Sequence, residues 1–226
     1  MFNFWKKNNY SAKKINNLYS GYLYTGVLGS LMKYCHRELE KKLPDRNYKK
    51  ILEIGAGSEP HIKYIKNKNV SYYILEKTKF KPIKKIESGK IFYKFYKGKK
   101  IPFKKSTFDR VILSHVLEHV PNPENFLFEV MNTLKKGGTL SISLPADPGL
   151  IYRLSRLLNK FFIAKGKLKM SSLEYDYSNA IEHINSIFNL VDIIRHNYKD
   201  KIVEDFLPFK IKLIDLNLFY NVHITK

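Results

Sequence analysis

Apolar residues in this chain fall into two patterns. Short runs rich in β-branched and aromatic residues, at Ile51 to Ile54, Val70 to Leu75, Ile91 to Tyr96, Phe108 to Leu113 and Thr139 to Leu144, predict strands. Two more stretches of this kind stand at about 201–207 and 216–224. Around them, apolar positions recur at helical spacing over about 19–43, 60–67, 123–135 and 184–197. Pro44-Asp45 ends the first helix, and Gly137-Gly138 reads as the stop of the third. Strands that alternate with helices predict one α/β domain whose mostly parallel sheet is covered on both faces.

The first strand runs directly into Gly55-Ala56-Gly57-Ser58. Without a Cβ, Gly55 and Gly57 allow positive φ and let a ligand come close to the main chain. A helix opening near Glu59-Pro60 would complete half a βαβ unit, and its glycine turn would lie where open α/β sheets bind ligands. A G-x-G alone is common. The second strand strengthens it by ending at Glu76, about 20 residues on, where a carboxylate can accept both hydroxyls of a ribose. A solvated acid at a strand end is the plain alternative.

Composition narrows the class. A chain of 226 residues buries a full core as a single domain. It has no apolar run of membrane-spanning length and no signal-peptide apolar region, so a soluble, cytoplasmic protein is expected. Cys35 is the only cysteine, which excludes an internal disulfide and a multi-cysteine metal site. His115 and His119 are spaced i,i+4 but straddle a predicted strand end and its loop, so no metal is expected there. The net charge of +21, from 41 Lys+Arg against 20 Asp+Glu, favours anionic partners such as nucleic acid, phosphorylated substrates or an acidic membrane surface. Because the lysines are spread through every segment, a general bias toward Lys, Asn and Ile explains the charge equally well.

Five motifs follow one another in order: Ile51 to Ser58, the Glu76 strand end, Ile101-Pro102-Phe103 before Phe108-Asp109, Ser114-His115-Val116-Leu117-Glu118-His119-Val120, and Leu134-Lys135-Lys136-Gly137-Gly138-Thr139-Leu140. Together they resemble the class I S-adenosylmethionine-dependent methyltransferases, in the small-molecule branch (methyltransferase type 11-like) with an "LPF…FD…LEH…LKPGG" signature. The resemblance covers roughly 50–145. It implies a Rossmann-like three-layer sandwich with a seven-stranded sheet, mostly parallel with an antiparallel last strand. It also implies S-adenosylmethionine as cofactor. Gly55, Ala56 and Gly57 would pass beneath its methionine part, Glu53 would help hold the ammonium group, and Glu76 would take the ribose diol. Ser114 and His115 would face the methionine and sulfonium. Two positions depart from the pattern: Lys97 stands where an acid usually meets the adenine amine, leaving the Gly98 backbone and apolar packing to hold adenine, and Glu59-Pro60 replaces a common third glycine.

A methyl transfer to oxygen needs a base for the hydroxyl proton, whereas an amine need only be neutral. The candidate bases are His115, His119 and His183; Glu118-His119 has the competing reading of a loop fastened by hydrogen bonds. Substrate choice falls to 146–182, a cap insertion, and to an N-terminal helical lid over 1–45. Leu150, Ile151, Leu154, Leu157, Leu158, Phe161 and Phe162 recur at helical spacing with Arg153, Arg156 and Lys160 between them, a basic amphipathic helix. It is either a cap on the domain or a contact with a membrane surface or lipid-linked, anionic substrate. Glu174-Tyr175-Asp176-Tyr177 would bind sugar hydroxyls or stitch the cap to the core. The expected acceptor is a small molecule or glycan, such as a cell-surface polysaccharide sugar or its lipid-linked precursor. The alternatives are an RNA or other nucleic-acid methyltransferase, disfavoured for base amines because no Asn/Asp-Pro-Pro-aromatic motif follows strand four, and a methyltransferase-fold protein without catalysis. No helix-turn-helix or zinc pattern points to a DNA-recognition module.

Overall fold

The computed structural model describes residues 25–57, 59–77, 90–96, 100–162 and 171–226. Helix α1 (Gly26–Lys41) precedes β1 (Lys50–Ile54), β2 (Ser71–Glu76), β3 (Lys90–Phe95) and β4 (Phe108–Ser114). Then come α2 (Pro123–Thr133), β5 (Leu134–Pro145), α3 (Leu150–Asn159), α4 (Ser172–Glu182), α5 (Ile187–Tyr198), β6 (Ile202–Leu207) and β7 (Phe219–Thr225). The strands form one seven-stranded sheet in the order β3-β2-β1-β4-β5-β7-β6. All neighbours are parallel except the pairs that include β7. This is the expected Rossmann-like arrangement with its antiparallel last strand.

The central strands are apolar on both sides, and each side has its own core. Leu52, Ile54, Val111 and Leu113 pack with Leu127, Val130 and Met131 of α2 and Leu190, Val191 and Ile194 of α5. The alternate residues Ile51 and Ile112 face Leu39 of α1 with Ile62, Ile65 and Tyr72. Period-two alternation therefore buries both faces of β1 and β4, as a parallel sheet under helices requires.

Three expectations need correcting. The helix at 60–67 is only a single 3₁₀ turn, His61–Lys63. Lys68 folds back so that its Nζ reaches the Ile62 and Lys63 carbonyls at 2.6 and 3.2 Å, serving oxygens that a further helical turn would have used. The helix read over 123–135 ends at Thr133, and Gly137-Gly138 belongs to β5. There Phe108 pairs with Leu134 but Arg110 with Thr139, and Gly137, at φ +75°, carries the resulting bulge. The helix read over 19–43 is α1 in its described part, and that part is no lid, because it lies on the sheet against β5 and β7. Residues 1–24 lie outside the described residues.

A buried polar network holds α1 down. Arg110 of β4 is fully buried; its Nη1 lies 2.6 Å from Glu40 Oε1 and its Nε donates to Ser141 Oγ at 2.9 Å. Glu40 Oε1 also lies 2.7 Å from His61 Nε2. Burial pushes the Glu40 carboxyl up, but Arg110 and His61 outweigh it and hold the group down at about 2. Nearby, Cys35 Sγ lies 3.0 Å from Ser143 Oγ, and burial raises its thiol to about 12, leaving it unreactive.

Candidate active site

Strand order reverses between β1 and β4, and the crevice at their C-terminal ends is where open α/β sheets place ligands. The loops after these two strands form its walls. Gly55 has φ +72°, and a Cβ there would stand 2.7 Å from Val116 Cγ2 of the β4 loop, so glycine lets the two loops touch. Gly57 has φ +57° and nothing within 4 Å of the place a Cβ would take, which leaves the tip of the turn open to a ligand. Glu76, at the tip of neighbouring β2, accepts from the Gly57 amide at 2.6 Å. Burial raises the Glu76 carboxyl, and the Gly57 and Lys77 amides pull it back in part. An open glycine turn beside a nearly buried carboxylate fits the methionine and ribose ends of an adenosyl cofactor.

The remaining cofactor positions divide. Ala56 is buried in the α1-side core, and Ser114 and His115 stand at the end of β4 across the crevice from the turn. Glu53 sits underneath, 1% exposed, with its oxygens accepting from the His61 amide at 3.0 and 3.1 Å and from Tyr72 Oη at 2.6 Å. Burial raises its carboxyl to about 7. All these contacts are internal, so Glu53 braces the turn from below. Gly98 and Lys97 lie outside the described residues, as does Ser58. Phe103 of the Ile101-Pro102-Phe103 motif joins Tyr73 and Phe108 in an edge-to-face cluster, with Ile101 buried beside it.

Two of the three candidate bases, His119 and His183, come together, and His115 stands on the other side of Glu118. His115 takes φ +55° and donates its amide to the Ser143 carbonyl at 2.9 Å, turning the chain into a 3₁₀ turn, Leu117–His119. The Glu118 carbonyl accepts the amides of Ile184 and Asn185, each at 3.1 Å. Asn185 Nδ2 then donates to the carbonyls of Leu117 at 3.1 Å and Val120 at 2.7 Å. This stitching brings the end of α4 to the β4 loop, so the His119 and His183 rings stand 5.2 Å apart, edge to face. His119 Nδ1 lies 2.6 Å from the Glu182 carbonyl, and His183 Nδ1 lies 2.8 Å from Asp147 Oδ2.

Between the imidazoles lies Glu118, 2% exposed. Two imidazole nitrogens face it, His115 Nδ1 at 3.7 Å and His119 Nε2 at 3.8 Å, both beyond hydrogen-bond reach. Burial pushes this carboxyl up, and the facing His115, His119 and His183 outweigh it, so it titrates below the ordinary range. The loop is thus fastened by Glu118's backbone and by Asn185, while the Glu118 side chain faces the cluster. Asp147, which orients His183, was not among the expected site residues; its signal was an acid in Ala146-Asp147-Pro148, just past the end of β5. Spacing along the chain pairs His115 with His119, but the side chains that gather are Glu118, His119 and His183.

The cap resolves as well. Glu174 forms a capping box with Ser171, Tyr175 is buried, and Asp176 pairs with Lys160 just past the end of α3, so the acidic block stitches α4 in place. Helix α3 buries no residue completely, and Leu150, Leu154, Leu157 and Leu158 are about half exposed. No helix among the described residues is long and apolar enough to cross a membrane.

Comparison with known proteins agrees with this geometry. Residues 52–142 match the methyltransferase domain family (type 11). A solved methyltransferase of Thermotoga maritima, described as a possible histamine N-methyltransferase, superposes with TM-score 0.60 at 17% identity, over 96% of this chain and 99% of that one. A methyltransferase of Mesorhizobium loti superposes with TM-score 0.53 at 13% identity, over 84% and 96%. The plantazolicin methyltransferase, solved with S-adenosylhomocysteine and a monoazolic desmethylPZN analogue, does so with TM-score 0.56 at 12% identity, over 96% and 89%. The fold and the matched domain support a class I S-adenosylmethionine-dependent methyltransferase. The chain matches that domain over less than half of its length. It is also 29% identical, over 77% of its length and 76% of the relative's, to an uncharacterised protein of Methanocaldococcus jannaschii.

Proposed function

We propose that the protein transfers a methyl group from S-adenosylmethionine to an oxygen or nitrogen of a small-molecule or glycan acceptor, activated at the Glu118–His119–His183 cluster. The observation that carries this reading is the convergence of those side chains beside the crevice, next to the loop that touches the glycine turn.

When bound, the cofactor supplies a methyl group on a positively charged sulfur. The chain provides alignment and exclusion of water. Gly55 and Gly57 let the backbone lie against the methionine part, and Glu76 would accept the ribose hydroxyls. Contact between Val116 and the Gly55 turn closes the crevice floor. On the acceptor side, Asp147 fixes the tautomer and ring orientation of His183. An acceptor hydroxyl would lose its proton at this cluster as its oxygen attacks.

An acceptor with a lipid chain is supported by α3, whose half-exposed leucines alternate with Arg153, Arg156 and Lys160 at the edge of the site, where Arg156 reaches Asp147 at 3.5 Å. Binding to anionic vesicles that weakens with added salt would agree with a lipid-linked acceptor; no sedimentation with vesicles removes it.

Isothermal titration with S-adenosylhomocysteine, followed by labelled methyl transfer to fractionated small molecules, glycans and RNA, tests the whole proposal. Label in the small-molecule or glycan fraction is the expected outcome. Label confined to RNA would overturn the acceptor class. His183→Ala should keep cofactor binding within about twofold while turnover falls roughly 100-fold or more, the scale of acid–base contributions. Unchanged turnover in that variant removes His183 from the mechanism.

A further inference from the structure

Glu118, His119 and His183 place one donor atom each within 4.8 Å of the others. We propose that these three side chains bind a divalent first-row metal ion of the zinc class, with coordination positions left open toward the acceptor. That the open positions serve the acceptor rests on the methyltransferase reading above; that the ion binds does not.

The hydrogen bonds around the cluster set each donor. A carbonyl oxygen can only accept, so the 2.6 Å contact with Glu182 puts the hydrogen on His119 Nδ1 and the lone pair on Nε2. Asp147 does the same for His183 at 2.8 Å. Imidazoles whose far nitrogen is tied to a carboxylate or a backbone carbonyl are the usual arrangement behind metal-bound histidines.

Glu118 supplies the third donor and an independent observation. Both its carboxylate oxygens are buried and lack a hydrogen-bond partner. A buried carboxylate without a hydrogen-bond partner is costly, and a cation bound among its neighbours would lower that cost. Two imidazoles and a carboxylate suit zinc and its near relatives rather than calcium or magnesium, which prefer all-oxygen shells. Bond lengths of about 2.0–2.2 Å place ligand atoms roughly 3–4 Å apart, so the cluster needs a closure of about 1 Å, within reach of small side-chain rotations.

Three protein ligands leave at least one position free, as in catalytic rather than structural zinc sites. An acceptor hydroxyl bound there would have its pKa lowered. Its proton would go to solvent, its oxygen would bond the methyl carbon, and the breaking C–S bond would leave its electron pair on sulfur. The favoured acceptors are therefore hydroxyl compounds, especially those whose neighbouring oxygens can chelate.

The test uses the full chain, stripped with a chelator and titrated calorimetrically with ZnCl2 and MnCl2, and in parallel with CoCl2 by visible absorption. One ion per chain, with the intense visible bands of four- or five-coordinate Co2+, is the expected result. His119→Ala and His183→Ala should each weaken binding at least roughly 100-fold. Asp147→Asn, which keeps all three ligands, should weaken it about 10–100-fold, the usual effect of losing an outer-shell partner. Absence of binding in the unmodified chain, or histidine variants that bind as tightly as the unmodified chain, overturns the site. Titration of S-adenosylhomocysteine into the metal-free protein reads the cofactor assignment separately.

Discussion

At the scale of single residues, the motifs divide into those that line the crevice and those that hold the framework. Asp109 accepts the amides of Lys49 and Lys50 at 3.0 and 2.7 Å and lies 2.7 Å from Lys135 Nζ, tying the start of β1 to β4 and β5. Phe103 and Phe108 pack on Tyr73. These parts of the signature are architecture. Gly55 and Gly57, by contrast, adopt positive φ at the mouth of the crevice, and they differ in what surrounds them. Gly55→Ala meets Val116 at 2.7 Å as well as a disfavoured φ, so it should lose about 2–3 kcal/mol of stability by urea unfolding and bind S-adenosylhomocysteine at least tenfold more weakly. Gly57→Ala meets open space and should lose only about 1 kcal/mol, the cost of the φ alone. Equal losses would mean that the two loops do not depend on their contact at Gly55.

At the scale of elements, the Glu118–His119–His183 cluster exists because two loops far apart in sequence are sewn together. Asn185 spans the Leu117 and Val120 carbonyls, and the backbone of Ile184 and Asn185 meets that of Glu118. Asn185→Ala should therefore cost about 1–3 kcal/mol, since two part-buried carbonyls lose their donor. It should also lower turnover while leaving the S-adenosylhomocysteine affinity unchanged, because the glycine turn lies on another loop. A parallel fall in cofactor affinity would contradict this separation. The strands at these positions were legible from alternation and β-forming residues, and their ends agree within a few residues. Two helix limits were not, and both were decided by contacts distant in sequence or by side chains. Lys68 closes the turn at His61–Lys63, and pairing with β4 takes Leu134–Gly138 into the sheet.

At the scale of the whole molecule, the Glu40–Arg110–His61 network fastens α1 to the sheet. Glu40→Gln would leave Arg110 as an uncompensated buried charge and should cost about 3–5 kcal/mol of folding stability. The native carboxyl titrates at about 2 against an ordinary 4.5, so its contribution is full above about pH 4.5 and is lost as pH falls toward 2. Acid unfolding followed by circular dichroism should show this loss in the native chain, and Glu40→Gln should flatten it. A variant with an unchanged acid profile would place the acid sensitivity elsewhere.

Local chemistry in the sequence determined the fold class, the glycine turn after β1 and the identity of every histidine in the cluster. Strand periodicity, glycines at a strand end and an acid at the next strand end act over a few residues and can be read in one dimension. Tertiary structure alone decided which groups meet. It tied Glu53 to the His61 amide and Tyr72 beneath the turn and packed the described part of α1 as a layer rather than a lid. It also joined His183 to His119 and left the Glu118 carboxylate beside them without a hydrogen-bond partner. Such encounters depend on which loops the sheet brings side by side at its switch point, and no spacing along the chain encodes that distance.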